Sequence, residues 1–581
     1  MALSTKPAEA TRSKNMDAKQ RARDLLVEIY GLDKGQEAWE RIARLIENAP
    51  RQTSREEGFF SEKDVVLITY GDSIRQEGQP PLQTLHAFAR EHLQGVISAV
   101  HFLPFFPWSS DDGFSVKDFM TIDPPLGDWE DVARFGQDFD LMFDYVVNHV
   151  SAQSQWFQNY LAGKTGFTDL AIEMDPTIDL SMVTRPRALP LLTEFHKETG
   201  ETVHVWTTFS DDQIDLNYRS LDVLVKMLEA LLLYVAQGAR IVRMDAIAYL
   251  WKEIGTTCIH LPQTHAMVKL FRAVFDIVAP DAIIITETNV PHAENISYFG
   301  NGRDEAQMVY NFTLPPMLFH AFVTGDATEL SRWARGLSLA SPDTTFFNFT
   351  ASHDGIGVRP LEGILPPEAI DKTLAEAVQA NGGQISYKNN PDGTQSPYEL
   401  NITYVDALRV PGRDNDPQHP ARFLASQSIQ YALPGVPATY IHSLLGSRNW
   451  YQGVEQTGRA RTINREKLDK ATVVAEINDP QSFRARIFAP YAHMIRTRTR
   501  QPAFHPNAGF EILDLGPQLF GIKRTASTQT LWAVTNITDR PVRANLTASG
   551  AQGQMEDQLT KNSQDAANLE LGPYQFVWLS H

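Results

Sequence analysis

The sequence predicts an α/β fold, a (β/α)8 barrel of the TIM type carrying added segments. Three observations predict it. Eight short β-branched or apolar runs are spread over residues 65–443, helix-length amphipathic stretches separate most of them, and ionisable residues gather at the ends of four. Strand and helix in alternation is the pattern of a parallel sheet covered by helices, and eight repeats fit a closed barrel better than an open sheet.

The runs are "VVLITY" (65–70), "GVISAVHFLPFF" (95–106), "DLMFDYVVNH" (140–149), "ARIVRMDA" (239–246), "AIIITET" (282–288), "QMVYNF" (307–312), "TTFFNFTASHD" (343–354) and "GVPATYIHS" (435–443). Segments such as "SLDVLVKMLEALLLYVAQG" supply the helices between them. Ahead of the first run, Leu25, Leu26, Ile29 and Tyr30, then Trp39, Ile42, Leu45 and Ile46, recur at helical spacing around Gly31. Residues 1–63 therefore read as a helical N-terminal extension. The third and fourth runs lie farther apart than one helix requires, so residues 151–215 read as an inserted domain between barrel segments 64–150 and 216–500. Residues 358–415, rich in Asn, Gly and Pro, read as a long loop region over the active site. Residues 501–581, with "FEILDLG", "LFGIKRTA" and "TLWAVTNI", read as a C-terminal antiparallel β domain.

Composition narrows the function. With 581 residues, 43% of them hydrophobic, the chain buries more than one core. A net charge of −18, from 52 basic and 70 acidic residues, repels phosphate backbones and excludes nucleic acid as a partner. The first twenty residues lack the apolar centre of a secretion signal, and no run of eighteen apolar residues offers a membrane span. Cys258 is the single cysteine, so no internal disulfide forms, and the reading is a cytoplasmic protein. No Cys/His cluster has zinc spacing, and no metal or cofactor is expected.

Four runs end in chemistry: Asp144 with Asn148 and His149, Arg243 with Asp245, Glu287, and His353 with Asp354. One aspartate at a strand end is ordinarily a cap or turn former, and one histidine in an apolar run a satisfied core residue. Gathered at the C-terminal ends of barrel strands, where active sites lie, they leave too many charges for a core. On a strand, residues two apart share a face, so Arg243 and Asp245 point the same way. A carboxylate pair about 5 Å apart suits retaining glycoside chemistry. Arg243 is expected to keep the Asp245 pKa low, as a nucleophile requires; the apolar "AIIIT" before Glu287 is expected to raise that carboxyl and make it the proton donor.

"DYVVNH", "ARIVRMDA", "TETN" and "ASHD" resemble the four signature regions of the α-amylase superfamily, in order and spacing. By that resemblance Asp245 is the nucleophile, Glu287 the acid/base and Asp354 the transition-state stabiliser, with His149, His353 and Arg243 around the glucose. "LITYGDS", "VHFLPFF", "DDGF", "TRPRALP", "MDAIAY", "HDGIGVRPLEG" and "RTINR" are similar to the sucrose phosphorylase subfamily over residues 64–500. That implies Asp111 and Arg461 at the 4-hydroxyl side of the glucose, with Phe114 as an apolar platform and Phe209 and Gln213 on the wall. It also implies Arg187 and Tyr249 as phosphate-placing residues. The reaction implied is transfer of glucose from a small α-glucoside to inorganic phosphate, giving α-glucose 1-phosphate reversibly. An α-glucosidase or transglucosidase with the same triad is the competing enzyme, and a non-catalytic amylase-like scaffold the competing class; the intact triad speaks against the scaffold.

The leaving half is the open variable. Subfamily relatives act on sucrose, sucrose 6-phosphate, glucosylglycerate or glucosylglycerol. Pro186 stands where an arginine for an anionic acceptor would be expected, which favours neutral glycerol, and hence glucosylglycerol as substrate. Arg359, in the loop after Asp354, is the residue that would reverse that preference toward glycerate.

Overall fold

The computed structural model describes residues 6–51, 58–186, 189–389, 393–413 and 415–581, with backbone alone at 6–15 and 389. Eight parallel strands close a barrel: β1 (Val66–Thr69), β2 (Ala99–Phe102), β3 (Asp140–Val146), β4 (Ala239–Asp245), β5 (Ile283–Thr286), β6 (Met308–Tyr310), β7 (Thr345–Asn348) and β8 (Val436–Tyr440). Each strand lies beside its neighbour in sequence, and β8 returns to β1, as in register Val66 to Ala438. All eight predicted runs contain one of these strands. Their cores are buried along their whole length because a barrel strand has helices on one face and packed side chains on the other.

The chain divides into two compact units. The first holds residues 1–59, 102–288 and 296–309. Within it, α1 (Lys6–Tyr30) and α2 (Leu32–Asn48) form the N-terminal extension. Ala18, Ala22 and Leu26 on α1, and Ala38, Ile42 and Ile46 on α2, are buried. Arg21 pairs with Asp276 at 2.7 Å on the helix Pro262–Val278, and Arg41 with Asp222 at 2.5 Å on the helix Leu221–Ala236. Of the predicted positions, Leu26, Ile29, Ile42 and Ile46 are buried and Leu25, Tyr30, Trp39 and Leu45 are half-buried.

The insertion after β3 starts and ends in one antiparallel pair, His149–Ser151 against Gln213–Asp215. This pairing closes the base of the excursion and sets His149 opposite Asp215. Beyond it lie a hairpin, Leu192–His196 with Thr202–Trp206, and a small core of Leu180, Val183, Leu191, Trp206 and Cys258.

The second unit holds residues 60–101, 289–295 and 310–581. The segment after β7 contains a three-stranded sheet, Ile356–Gly357, Gln395–Asn401 and Gln384–Asn389, with a helical stretch over residues 369–380. After residue 500 a six-stranded antiparallel sheet is built on Trp532, Val534, Val577 and Leu579, with Leu569 and Met555 in the same core. Arg498, fully buried, donates to the carbonyls of Glu62 (2.7 Å), Phe504 (3.0 Å) and Tyr431 (3.2 Å). Burial pulls its pKa down to about 10, and the carbonyl dipoles offset part of the cost of an enclosed charge.

Candidate active site

In the first unit, the register of β3 against β4 sets Asp144 beside Arg243 and Val146 beside Asp245. Arg243 Nη1 donates to the carboxylates of both Asp144 and Asp245, the latter at 2.7 Å. Its Nη2 lies 3.9 Å from Glu287 Oε1. One guanidinium thus serves three carboxylates. Asp144 and Arg243 are buried, and the Asp245 side chain is 11% exposed.

This arrangement corrects one expectation. Arg243 does not hold the Asp245 carboxyl low; burial first, then the charges of Glu287 and Asp144, push it well above the ordinary aspartate range against the pull of Arg243. The sequence showed the arginine beside the aspartate and did not show the two carboxylates that share it. Protons in such a cluster belong to the interacting carboxyls together rather than to one residue.

Glu287 Oε2 accepts the backbone N–H of Ala246 at 3.1 Å. Ala246 follows Asp245 with φ of 52°, in the left-handed region that costs an alanine about 1–2 kcal/mol. That conformation aims its N–H at Glu287 and turns the chain into the short helical turn Ile247–Tyr249.

The remaining unit-one residues form a connected wall. Phe114 is buried under Arg243, whose guanidinium lies 5.6 Å from the ring centroid. His149 Nε2 donates to the Phe114 carbonyl at 2.9 Å, which assigns its proton to Nε2. Gln213 Nε2 lies 3.4 Å from Asp111 Oδ2 and from the Phe114 carbonyl. The ring of Phe209 packs on His149 at 5.3 Å and edge-on to Tyr249 at 5.4 Å. The "DDGF" turn is strained, with Asp111 and Asp112 at φ of 55° and 49°. Gly113, at φ of 107°, admits no side chain, because a Cβ would come 2.7 Å from the Pro104 carbonyl oxygen. Asn148 is held by Lys252, whose Nζ donates to its Oδ1 at 2.8 Å and pairs with Asp215 at 2.5 Å. Among the described residues no group of three His, Cys, Asp or Glu side chains is arranged to hold a metal ion.

In the second unit, Asp354 follows β7 at the C-terminal side of the barrel strands. Arg461 Nη1 pairs with its Oδ1 at 2.5 Å and forks onto Glu399 through Nε (2.9 Å) and Nη2 (2.6 Å). His353 Nε2 is 3.3 Å from Asp354, and Arg465 Nη2 is 3.8 Å from it. Asn464 donates to the Asp354 carbonyl at 2.9 Å and Arg465 to the His353 carbonyl at 2.8 Å, fixing the backbone under the carboxylate. Arg359 lies in the turn Arg359–Leu361. Pro186 is buried, and Arg187 lies outside the described residues.

Sequence reasoning named Asp144 only as a strand-end charge and missed Lys252 and Glu399. "RTINR" contained Asn464 and Arg465 without showing what they hold. For Glu399 no local signal existed, since its partner is 62 residues away.

Residues 92–345 match the family described as "Alpha amylase, catalytic domain". The chain is 52% identical over 86% of its length to the glucosylglycerate phosphorylase of Allomeiothermus silvanus, covering 89% of that protein. It is 46% identical over 97% of its length to the glucosylglycerate phosphorylase of Escherichia coli K12, covering all of it. The glucosylglycerol phosphorylase of Marinobacter adhaerens is more distant, at 28% over 76% of this chain and 88% of its own. Among solved structures, sucrose 6F-phosphate phosphorylase from Thermoanaerobacter thermosaccharolyticum superposes with a TM-score of 0.71 at 26% identity, over 82% of this chain and 94% of that one.

Proposed function

We propose, for a chain that belongs to the α-amylase family as a sucrose-phosphorylase-type member, that it cleaves α-glucosylglycerate with inorganic phosphate, reversibly, by a retaining double displacement. Asp245 attacks the anomeric carbon while Glu287 gives its proton to the departing glycerate oxygen, leaving a glucosyl ester on Asp245. A phosphate oxygen then attacks the same carbon, its proton passes to Glu287, and α-glucose 1-phosphate leaves with Asp245 restored. Arg243 orients the nucleophile, and the surplus negative charge around it favours the positive charge that develops on the sugar. Asp354, aimed by Arg461 and His353, takes ring hydroxyls; Asp111, Phe114, His149, Gln213 and Phe209 line the glucose. Tyr249 and Arg187 are assigned to phosphate.

The acceptor favoured from Pro186, glycerol, gives way here to glycerate. The observation that carries the change is the near full-length likeness, at 46–52% identity, to glucosylglycerate phosphorylases, against 28% to the glucosylglycerol enzyme. Pro186 belongs to one loop, and an anionic acceptor can draw its cation from another. A cytosolic site fits the product, since glucose 1-phosphate keeps the energy of the glycosidic bond and would be lost outside the cell.

The deciding assay supplies glucosylglycerate with millimolar phosphate and follows both glucose 1-phosphate and free glucose. Glucose 1-phosphate is expected to dominate at least tenfold. Release of mainly glucose would replace the phosphorylase by an α-glucosidase. In reverse, from glucose 1-phosphate, glycerate is expected to outperform glycerol, fructose and fructose 6-phosphate; a best rate with another acceptor would overturn the substrate.

A further inference from the structure

In the segment between Asp354 and Glu399, the described charges without an ion pair are the exposed Glu368, Asp371, Lys372 and Glu376 and one half-buried group, Arg359. Asp354 and Glu399 share Arg461, and Glu362 takes Lys388 at 2.6 Å. Arg359, half-buried, has no ion-pair or hydrogen-bond partner for its side chain among the described residues. Its backbone is nevertheless fixed. Ile356 and Gly357 pair with Leu400 and Glu399, Val358 N–H donates to the Tyr398 carbonyl at 3.2 Å, and Pro360 stiffens the turn that follows. A rigid mount for an unpaired guanidinium is an arrangement that folding alone does not call for.

A second unsatisfied group lies against the same strand. Asn289, two residues after Glu287 in the chain, has a buried Oδ1 with no hydrogen-bond partner. Its amide rests on the backbone of residue 357, where a Cβ would meet Asn289 Nδ2 at 2.6 Å and Oδ1 at 3.1 Å. Glycine at 357 is therefore what lets the asparagine side chain occupy that space. A buried acceptor left unpaired is costly, and a ligand hydroxyl that donates to it removes the cost.

We propose that Arg359 and Asn289 form the subsite for the leaving half of the substrate, specific for a small hydroxy-carboxylate: Arg359 binds the carboxylate and Asn289 Oδ1 accepts a hydroxyl. This rests on the glucosylglycerate reading above and adds the residues that select the acid over the polyol. A planar guanidinium meets a carboxylate with two parallel hydrogen bonds, which glycerol cannot offer. The hydroxyl contact serves both molecules. Charge and hydroxyl recognition are thereby divided between two residues.

The test uses the full-length chain in the synthetic direction from glucose 1-phosphate, with glycerate and glycerol as acceptors, and reads the ratio of their kcat/KM values. Arg359→Ala is expected to lower the glycerate-to-glycerol ratio about 100-fold, mainly through the KM for glycerate. Arg359→Lys, which keeps the charge and loses the fork, should recover about half of that loss on a logarithmic scale. Asn289→Ala should weaken both acceptors about tenfold and leave the ratio within about threefold of wild type. The ratio is internal to each preparation, so partial misfolding cancels. A wild type that prefers glycerate, with an Arg359→Ala ratio unmoved, overturns the subsite; an Asn289→Ala variant that moves the ratio as far as Arg359→Ala overturns the division of roles. A wild type with no preference for glycerate defeats the glucosylglycerate reading instead.

Discussion

The two carboxylate clusters are built on opposite electrostatic plans. Around Asp245, three carboxylates share the guanidinium of Arg243 among the described ion pairs, in a largely buried space. Around Asp354, two carboxylates meet two guanidiniums, Arg461 and Arg465, and the aspartate side chain is 25% exposed. The first cluster carries surplus negative charge and gains from any positive charge brought to it, a proton on one carboxyl or the cationic character of a glycosyl transition state. The second is balanced: ion pairs with Arg461 and His353 meet the Asp354 carboxylate, and hydrogen bonds from Asn464 and Arg465 hold the backbone beneath it. Aspartates that look alike at strand ends thus sit in different electrostatic settings, which suits the roles proposed for them: Asp245 for bond making and breaking, Asp354 for aiming.

Asp245→Asn breaks the comparison hardest. Turnover is expected to fall at least about 10⁴-fold, since an amide cannot form the glucosyl ester. The same change should raise the thermal midpoint. The folded-state Asp245 pKa lies above its unfolded value, with burial the largest cause. The stability it contributes is therefore complete below pH of about 4, the ordinary aspartate value, and is lost as pH rises toward the folded value. Asparagine does not titrate, so the gain over wild type should grow from pH 4 to 8 in parallel melts, reaching about 1–3 °C. A variant less stable than wild type at pH 8 would show that Arg243 neutralises the cluster after all.

Glu287→Gln gives a smaller and more selective effect. It should lower cleavage of glucosylglycerate by about 10²–10⁴-fold and that of α-glucosyl fluoride far less, because fluoride leaves without a proton. Equal losses on both substrates would take the acid role from Glu287. Arg461→Lys should cost least. Lysine cannot fork onto Glu399 while reaching Asp354, so kcat/KM is expected to fall about 10–50-fold with little change in melting temperature. A loss as large as that of Asp245→Asn would mean that the balanced cluster does more than aim.

Legibility followed sequence distance. Arg243 and Asp245 were readable as a pair because two residues on one strand share a face. Asp144 against Arg243 depended on strand register, and register is set by the barrel. Arg461 on Asp354 and Glu399 joins three segments separated by tens of residues. The direction of the Asp245 pKa is hidden from the sequence because burial, its largest cause, is a property of the whole fold, and the added charges of Glu287 and Asp144 come from other strands.

By itself the sequence determined the barrel, the N-terminal helices, the insertion and the terminal β domain, since apolar periodicity and turn residues are local and each element answers to them. It also determined which strand ends carry chemistry, because charge at the end of an apolar run is costly wherever the run is buried. Only the tertiary structure decided how those charges are shared, and which carboxylate is balanced and which is not. A pKa and a binding preference depend on the sum of charges within a few ångströms, and that sum is assembled from residues whose only common property is where the fold brings them.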